Sequence, residues 1–555
     1  MPSPTPAPNT STRTKNHMRY ALLAMIPLTV ITTLSAAEVE LIIEPTPLHA
    51  VDQRLFGQFM ERPLGGETGP EGVCDANGVL PEPVVQALAD MRIPVVRFPA
   101  GTDVDYTDWT YLIDRAPGRA IVMREPTHGM KPQPLVTAHF GWHEYARLSD
   151  RLGWQTIAVV NLLDGLAKRK PLADAARHAA GMIAYLNAPL GAKLPEGMPD
   201  WPAIRAANGH PEPFKVRYFQ IGNEWFLYHK TTPLLKELSE ADFVAWYTEV
   251  LRTYVTAIRA VDPTVELIID AETGRGMGPK IISDPLLRRE VAWAAIHAYA
   301  PMRDISKDTG TPDEFWRYWS SIPGMYDATG QNQSLGDKRS GWVRKLGYRI
   351  AVTEWNWNGW GKLAPEFTTH QRRAQGIGAA GFIHGMMREG EAIGLATQSM
   401  LLGIAWSFAA IKIDATGRMQ RAPQGHMTTF YNKHHGESLL NSTLSGVSIA
   451  PMPNTWGGNE AMMPVAQIDA LATGGKNRVF AHVVNRTLTT QQIRITVPAT
   501  LRTATVHRML PCAVEEPDAD HWFTEDSVPA TVVAGICHIE LPGAAVMAVE
   551  FTAAP

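Results

Sequence analysis

Between residue 55 and about residue 410, short apolar runs alternate with longer segments whose apolar positions recur at helical spacing. That alternation is the pattern of repeated strand–helix units on a parallel sheet. Eight runs qualify as strands: Leu55 to Phe59, Val95 to Pro99, Thr156 to Leu162, Tyr218 to Gly222, Glu266 to Asp270, Ala294 to Tyr299, Arg349 to Thr353 and Gly403 to Phe408. Runs such as Ile157-Ala-Val-Val160 are apolar at every position, as strands buried on both faces require. Between them the spacing predicts helices over Glu82 to Met91, Trp142 to Leu152, Leu172 to Leu186, Glu240 to Val261, Pro285 to Val291, Pro312 to Trp319 and Thr368 to Glu389. The helix from Glu240 is the best bounded, with Ser239 as its cap and Asp262-Pro263 as its stop. Eight such units close into a (β/α)8 TIM barrel over residues 55–436, an α/β fold whose catalytic groups stand at the C-terminal ends of the strands. The alternative, an open doubly wound sheet, lacks a Gly-x-Gly-x-x-Gly turn after its first strand.

From residue 437 to 555 the texture changes to alternating strands without long helices: Arg478 to Val484, Gln491 to Val497, Ala504 to Met509, Thr531 to Ile539 and Ala544 to Phe551. These predict a C-terminal antiparallel β-sandwich. Residues 38–54 contain a further strand, Val39 to Ile43, which precedes the barrel and joins that sandwich. Residues 1–37 read as a polar leader and signal peptide: Lys15 and Arg19, then an uncharged stretch from Ala21 to Leu34, then Ser35-Ala-Ala37 with cleavage after Ala37. Met18 is an alternative start. The apolar stretch is short of the roughly 20 residues that span a bilayer, so the expectation is export to the periplasm or the medium without a stable membrane anchor.

Composition narrows the partners. Over 555 residues the chain is 45% hydrophobic and 19% charged with a formal net charge of -4, which suits a soluble globular protein and not a polyanion-binding one. No nucleic-acid partner is expected. The three cysteines, Cys74, Cys512 and Cys537, have no metal-ligand spacing; Cys512 and Cys537 pair in an oxidising space or stay reduced. No cofactor and no metal are expected. Gly-x-Ser-x-Gly, His-Glu-x-x-His and Walker motifs are missing, which removes the usual marks of esterases, zinc peptidases and nucleotidases.

Two acidic residues stand where predicted strands end. Glu224 closes Tyr218-Phe-Gln-Ile-Gly-Asn-Glu-Trp225 and Glu354 follows Arg349-Ile-Ala-Val-Thr353. They terminate the fourth and seventh strands and so share one rim. A pair of carboxylates is the minimum equipment for cleaving a glycosidic bond, one as proton donor and the other as nucleophile or base. Asn223 is placed to bind the hydroxyl next to the reacting carbon, and Trp355, opening Trp355-Asn-Trp-Asn-Gly-Trp360, to pack on a sugar ring. His297 and Tyr299, in Ile296-His-Ala-Tyr-Ala300, end the sixth strand; a Tyr there orients the nucleophile and a His holds the acid or a substrate hydroxyl. Glu61 lies just past the first strand, where it binds sugar hydroxyls or pairs with Arg62 or Arg97.

The order of these pieces resembles glycoside hydrolase family 51, chiefly α-L-arabinofuranosidases, from about residue 40 to the C-terminus. The resemblance rests on Leu55-Phe-Gly-Gln-Phe-Met-Glu61, Val96-Arg-Phe-Pro-Ala-Gly101, Ala158-Val-Val-Asn-Leu162, Ile221-Gly-Asn-Glu-Trp225, His297-Ala-Tyr299 and Thr353-Glu-Trp-Asn356. It implies a retaining glycosidase acting on plant-type polysaccharide or oligosaccharide, with Glu224 as acid/base and Glu354 as nucleophile. It also implies that Glu61, Asn161, Asn223, Tyr299 and Gln398 bind or orient the sugar. Release of terminal α-L-arabinofuranosyl residues is the activity it implies first, with β-xylosidase and endo-β-glucanase as alternatives. The chain departs from the family at Pro99-Ala-Gly-Thr102, where Pro-Gly-Gly-Asn is usual, and keeps the family's next segment only partly in Phe140-Gly-Trp-His-Glu144.

Overall fold

The computed structural model describes residues 38–555 apart from 62–68, 100, 115–118, 120–122, 125–132, 135–138, 226–231, 272–276, 301–315, 317–318, 321–342, 344, 358–368, 405–408, 415, 454–461, 476, 513–521 and 554–555. The expected signal segment, the helix from Pro312 except for Trp316 and Trp319, and the rest of the aromatic loop after Trp357 lie outside the described residues.

Eight parallel strands close a barrel in chain order: β2 (Gly57–Phe59), β3 (Val95–Phe98), β4 (Gln155–Val160), β5 (Tyr218–Ile221), β6 (Glu266–Asp270), β7 (Trp293–Ala300), β8 (Arg349–Trp357) and β9 (Ile393–Ser399), with β9 returning to β2. The helices between them follow the periodicity closely: Glu82–Asp90, Trp142–Leu152, Leu172–Asn187, Glu240–Val261 and Thr369–Arg388. Ser239 caps the fourth of these by accepting a hydrogen bond from the Asp242 amide.

The eighth strand differs from the expectation. The strand that closes the barrel is Ile393–Ser399; of the expected Gly403 to Phe408, residues 405–408 lie outside the described residues, and Leu402–Gly403 pairs with Ile411–Ile413 in a small three-stranded sheet. The sequence Ile393-Gly-Leu-Ala-Thr-Gln-Ser399 carries too many polar residues to read as an apolar run, yet all seven of its residues are buried. Its side chains find partners inside the barrel wall: the Thr397 hydroxyl donates to the Thr353 carbonyl, and Tyr299 lies 2.8 Å from the Ser399 hydroxyl. Polar residues with partners can occupy a strand buried on both faces, and hydropathy cannot show those partners.

The second layer is a nine-stranded sheet. Labelling β1 (Val39–Ala50), β10 (Ser438–Ser445), β11 (Ile468–Gly475), β12 (Arg478–Asn485), β13 (Gln491–Thr496), β14 (Leu501–Pro511), β15 (Phe523–Thr531), β16 (Ile536–Leu541) and β17 (Val546–Ala553), its order is β15-β14-β17-β12-β11-β10-β1-β13-β16. β1, the segment before the barrel, lies between β10, with which it is antiparallel, and β13, with which it is parallel. Val39, Leu41 and Ile43 alternate with more exposed residues and enter a separate core with Val483, Ile495 and Val549. Cys74, Cys512 and Cys537 are all unpaired, so the sheet holds together without a disulfide. Among the described residues no helix is long and apolar enough to cross a membrane.

Candidate active site

Strand periodicity decides what faces the barrel axis. Val95, Ile157, Tyr218, Ile268, Trp293, Ala295, Ala351 and Leu395 form one buried cluster drawn from seven strands, which plugs the barrel. Side chains two residues further along share that face. They are Arg97 on β3, Val159 on β4, Gln220 on β5, Asp270 on β6, His297 and then Tyr299 on β7, Thr353 on β8, and Thr397 and Ser399 on β9, all polar except Val159. A polar layer therefore sits directly above an apolar plug. A register shift between Val352 and Glu354 in the pairing of β8 with β7 turns Glu354 into the same layer.

Glu224 arrives differently. Gly222, at φ +74°, turns the chain off β5, and a Cβ there would meet the Leu162 side chain at 2.6 Å. Glu224 itself has φ +42°, a left-handed conformation that a non-glycine residue adopts only under constraint. The constraint comes from both sides. Trp225 is fully buried against Phe243 and Tyr247, with ring centroids 5.4 Å apart in each case, and the Asn223 amide donates to Asp105 Oδ2 at 3.2 Å.

Arg97 is wholly buried and organises the rest: Nη1 donates to Glu354 Oε1 at 2.7 Å, Nη2 to Asn223 Oδ1 at 2.7 Å and Nε to Gln220 Oε1 at 3.0 Å. The other oxygen of Glu354 accepts from the Tyr299 hydroxyl at 2.8 Å. His297 spans the two carboxylates, with Nδ1 2.8 Å from Glu224 Oε1 and 3.7 Å from Glu354 Oε2, while Nε2 lies 3.1 Å from the Thr353 hydroxyl. One oxygen of each carboxylate and a ring nitrogen of His297 lie within 4.8 Å of one another.

The electrostatics assign different states to these groups. Burial works against charge on His297, but Glu354 and the hydrogen bond that His297 donates to Glu224 outweigh it and raise the imidazole to about 9. Burial also disfavours the Glu354 carboxylate; His297, Arg97 and the Tyr299 hydroxyl overcome that and hold it below its usual range. Tyr299 is pushed well above its ordinary value by burial and then by Glu354, so it stays a donor. The three-residue spacing would also suit a cation, but Arg97 and a protonated His297 already bring positive charge against Glu354 and oppose a second cation there.

The structure gathers Glu224, Glu354, Asn223, His297 and Tyr299 at one point. Glu61, 3% exposed, joins them through the Gly101 amide, which donates to its Oε1 at 3.4 Å, while Gly101 packs against Glu354 itself. The N–H groups of Arg97 go to Glu354, Asn223 and Gln220, so its fork holds Glu354 and Asn223. Three expected sugar contacts lie elsewhere. Trp355 is fully buried, outside the barrel wall, against Phe382 at 5.5 Å between centroids; the register shift that turns Glu354 inward turns the residue after it away from the axis. Gln398 lies between inward-facing Thr397 and Ser399, and its amide oxygen accepts from Gln58 and from Thr428 of the helix Pro423–Lys433. Asn161 spends its amide on the Val104 carbonyl and the Asp164 amide, tying two rim loops together.

Arg97, Gln220, Thr353, Ser399 and Asp105 belong to the site without having been singled out in the sequence. For Arg97, Gln220 and Thr353 the available signal was parity, a charged or polar residue two places after a residue of the plug, although parity does not show what each one holds; Asp105, in a turn, carried no such signal.

A closed parallel barrel whose C-terminal rim brings a buried carboxylate, Glu354, face to face with a half-buried one, Glu224, has the architecture of a barrel glycosidase site. Comparison with known proteins narrows this further. Residues 87–316 match the family described as "Alpha-L-arabinofuranosidase 1 domain". Over 277 residues the chain is 27% identical to an intracellular exo-α-(1→5)-L-arabinofuranosidase of Streptomyces lividans, a match covering 47% of this chain and 36% of that protein. The chain thus spans about a third of the length of that curated relative. Among solved structures, an α-L-arabinofuranosidase from Thermotoga maritima in complex with arabinose superposes with a TM-score of 0.71 at 18% identity, over 92% of this chain and 99% of that one. A family 51 α-L-arabinofuranosidase from Bifidobacterium longum gives 0.69 at 18% identity over 93% and 99%. The domain match and the relative show similarity to α-L-arabinofuranosidases, and the solved structures show a shared fold.

Proposed function

We propose that the chain is a retaining glycoside hydrolase that releases terminal α-L-arabinofuranosyl residues from plant-type polysaccharide or oligosaccharide. The observation that carries this is the facing of Glu224 and Glu354, with approaching oxygens inside 4.8 Å. Retaining enzymes hold their carboxyl groups roughly 5 to 5.5 Å apart, whereas inverting ones leave roughly 6.5 to 9.5 Å for a water. Glu354, ionised and held by Arg97 and Tyr299, attacks the anomeric carbon as the glycosidic bond breaks. The leaving oxygen takes a proton from the Glu224–His297 pair through Glu224. Water then attacks the same carbon, Glu224 takes its proton, and the bond to Glu354 breaks to release the sugar with its configuration retained.

The names of the relatives favour arabinofuranose as the sugar. Nitrophenyl α-L-arabinofuranoside, β-xyloside and β-glucoside tested side by side decide it: the arabinofuranoside is expected to be cleaved fastest, and preference for either of the others overturns the assignment. No cleavage of any glycoside, with binding intact, would make the barrel a carbohydrate-binding protein; an unsaturated product absorbing in the ultraviolet would make it a lyase. We also propose export, which the Lys15 to Ala37 pattern supports. The mature protein is then expected outside the cytoplasm with Glu38 at its N-terminus; protein retained inside with residues 1–37 intact would refute export.

A further inference from the structure

Asp105 lies in the 3-10 turn Thr102–Tyr106 that follows β3, and it is fully buried. Its carboxylate reaches across the rim. Oδ1 accepts the backbone amides of Leu162 and Leu163 at 2.6 and 3.1 Å, just past β4, and Oδ2 accepts the amide of Asn223 at 3.2 Å, just past β5. Leu162 opens the helix Leu163–Leu166 and offers no side-chain cap of its own, so Asp105 caps that helix from a distance. The same turn supplies Thr102, whose hydroxyl accepts from Asn223 Nδ2 at 3.3 Å. The loop after β3 therefore grips Asn223 by backbone and side chain together, one residue before the strained Glu224.

We infer that Asp105 is a positioning residue for the acid/base Glu224, holding the Asn223 peptide so that the carboxylate faces Glu354. This rests on the reading of Glu224 and Glu354 given above. The grip is one-sided. Glu354 is held by Tyr299 and by Arg97, which also holds the Asn223 side chain; loosening Asp105 removes neither bond to Glu354 and acts first on the Asn223–Glu224 backbone, so it disturbs proton transfer before it disturbs the nucleophile. Hydrogen bonds to an ionised acceptor are strong, and an ångström of misplacement of a catalytic group costs about a hundredfold in rate.

The test compares Asp105→Ala and the isosteric Asp105→Asn with the parent, all as full chains. Hydrogen–deuterium exchange of the segment Gly222–Trp225 is expected to speed up at least about tenfold in both variants. Loss of kcat/KM is expected to be about a hundredfold for a phenyl arabinofuranoside, whose poor leaving group needs the acid, and slight for the dinitrophenyl one. Added azide, which needs no general base, should raise turnover of the dinitrophenyl substrate with formation of a glycosyl azide. Equal losses on both substrates, unchanged exchange in the segment, or failure of both variants to fold would each overturn the inference, because Asp105 would then support the fold and not the acid. If the parent itself leaves arabinofuranosides intact, the proposed function fails instead, and the exchange measurement still judges the grip on Asn223.

Discussion

At the scale of single residues, His297 and Arg97 carry the consequences that can be measured. His297 is raised from the usual imidazole range to about 9, so its proton stabilises the folded site. That contribution is complete below about pH 6.5, the ordinary histidine value, and is lost as pH rises through about 9. The pH profile of kcat/KM is expected to fall along an alkaline limb near 9 that vanishes in His297→Asn, at the cost of a lower plateau; a limb unchanged in that variant would assign it to another group. Arg97→Met leaves Glu354 buried without its partner, and breaking a buried ion pair costs about 3–5 kcal/mol. Chemical denaturation should show that loss, whereas stability within about 1 kcal/mol of the parent would mean that the pair contributes little. Glu224, Glu354, Asn223, His297 and Tyr299 were legible in the sequence because each stands near the end of an apolar run. Arg97 and Asp105 were not. One is a charge inside a strand and the other a carboxylate in a turn, and only the three-dimensional arrangement shows the amides and acids that they hold.

At the scale of elements, the barrel was legible wherever a strand reads as an apolar run, as in Ile157-Ala-Val-Val160, and illegible where the interior itself is polar. β9 was missed for that reason. Trp355 and Gln398 were misplaced for a related one: a motif shows that a residue sits near a strand end, but alternation along the strand decides which face it takes, and the shift in β8 resets the count. The turn after β3 makes a prediction at this scale. A Cβ added to Gly101 would stand 2.7 Å from Glu354 Oε1 and 3.3 Å from Asn223 Oδ1, so Gly101→Ala pushes directly on Glu354. Its kcat is expected to fall about a hundredfold while its melting temperature stays close to that of the parent. A variant with parental kcat would show that Glu354 has room to move.

At the scale of the whole molecule, the sheet and the barrel are joined through charge as well as apolar packing. Asp469 on β11 is buried among Arg388 and His384 of the barrel helix Thr369–Arg388 and Arg486 just after β12, with Arg486 Nη2 donating at 3.2 Å and Arg388 closer still. Burial disfavours its charge, but these cations hold the carboxyl well below its ordinary value. Its stabilising effect is therefore present above about pH 4, the unfolded carboxylate range, and is lost as pH falls through the lower folded value. Asp469→Ala leaves Arg388 and Arg486 without their carboxylate and is expected to cost about 3–5 kcal/mol with kcat unchanged below its own unfolding transition; a variant as stable as the parent would show that the cluster is not a clamp. The central claim, that Glu354 attacks a sugar which Glu224 helps to expel, is tested most directly by the intact mass of Glu224→Ala incubated with dinitrophenyl α-L-arabinofuranoside. Without the base the glycosyl enzyme should accumulate, one arabinofuranosyl group heavier and modified at Glu354; an unmodified protein, or an adduct on another residue, would contradict the account.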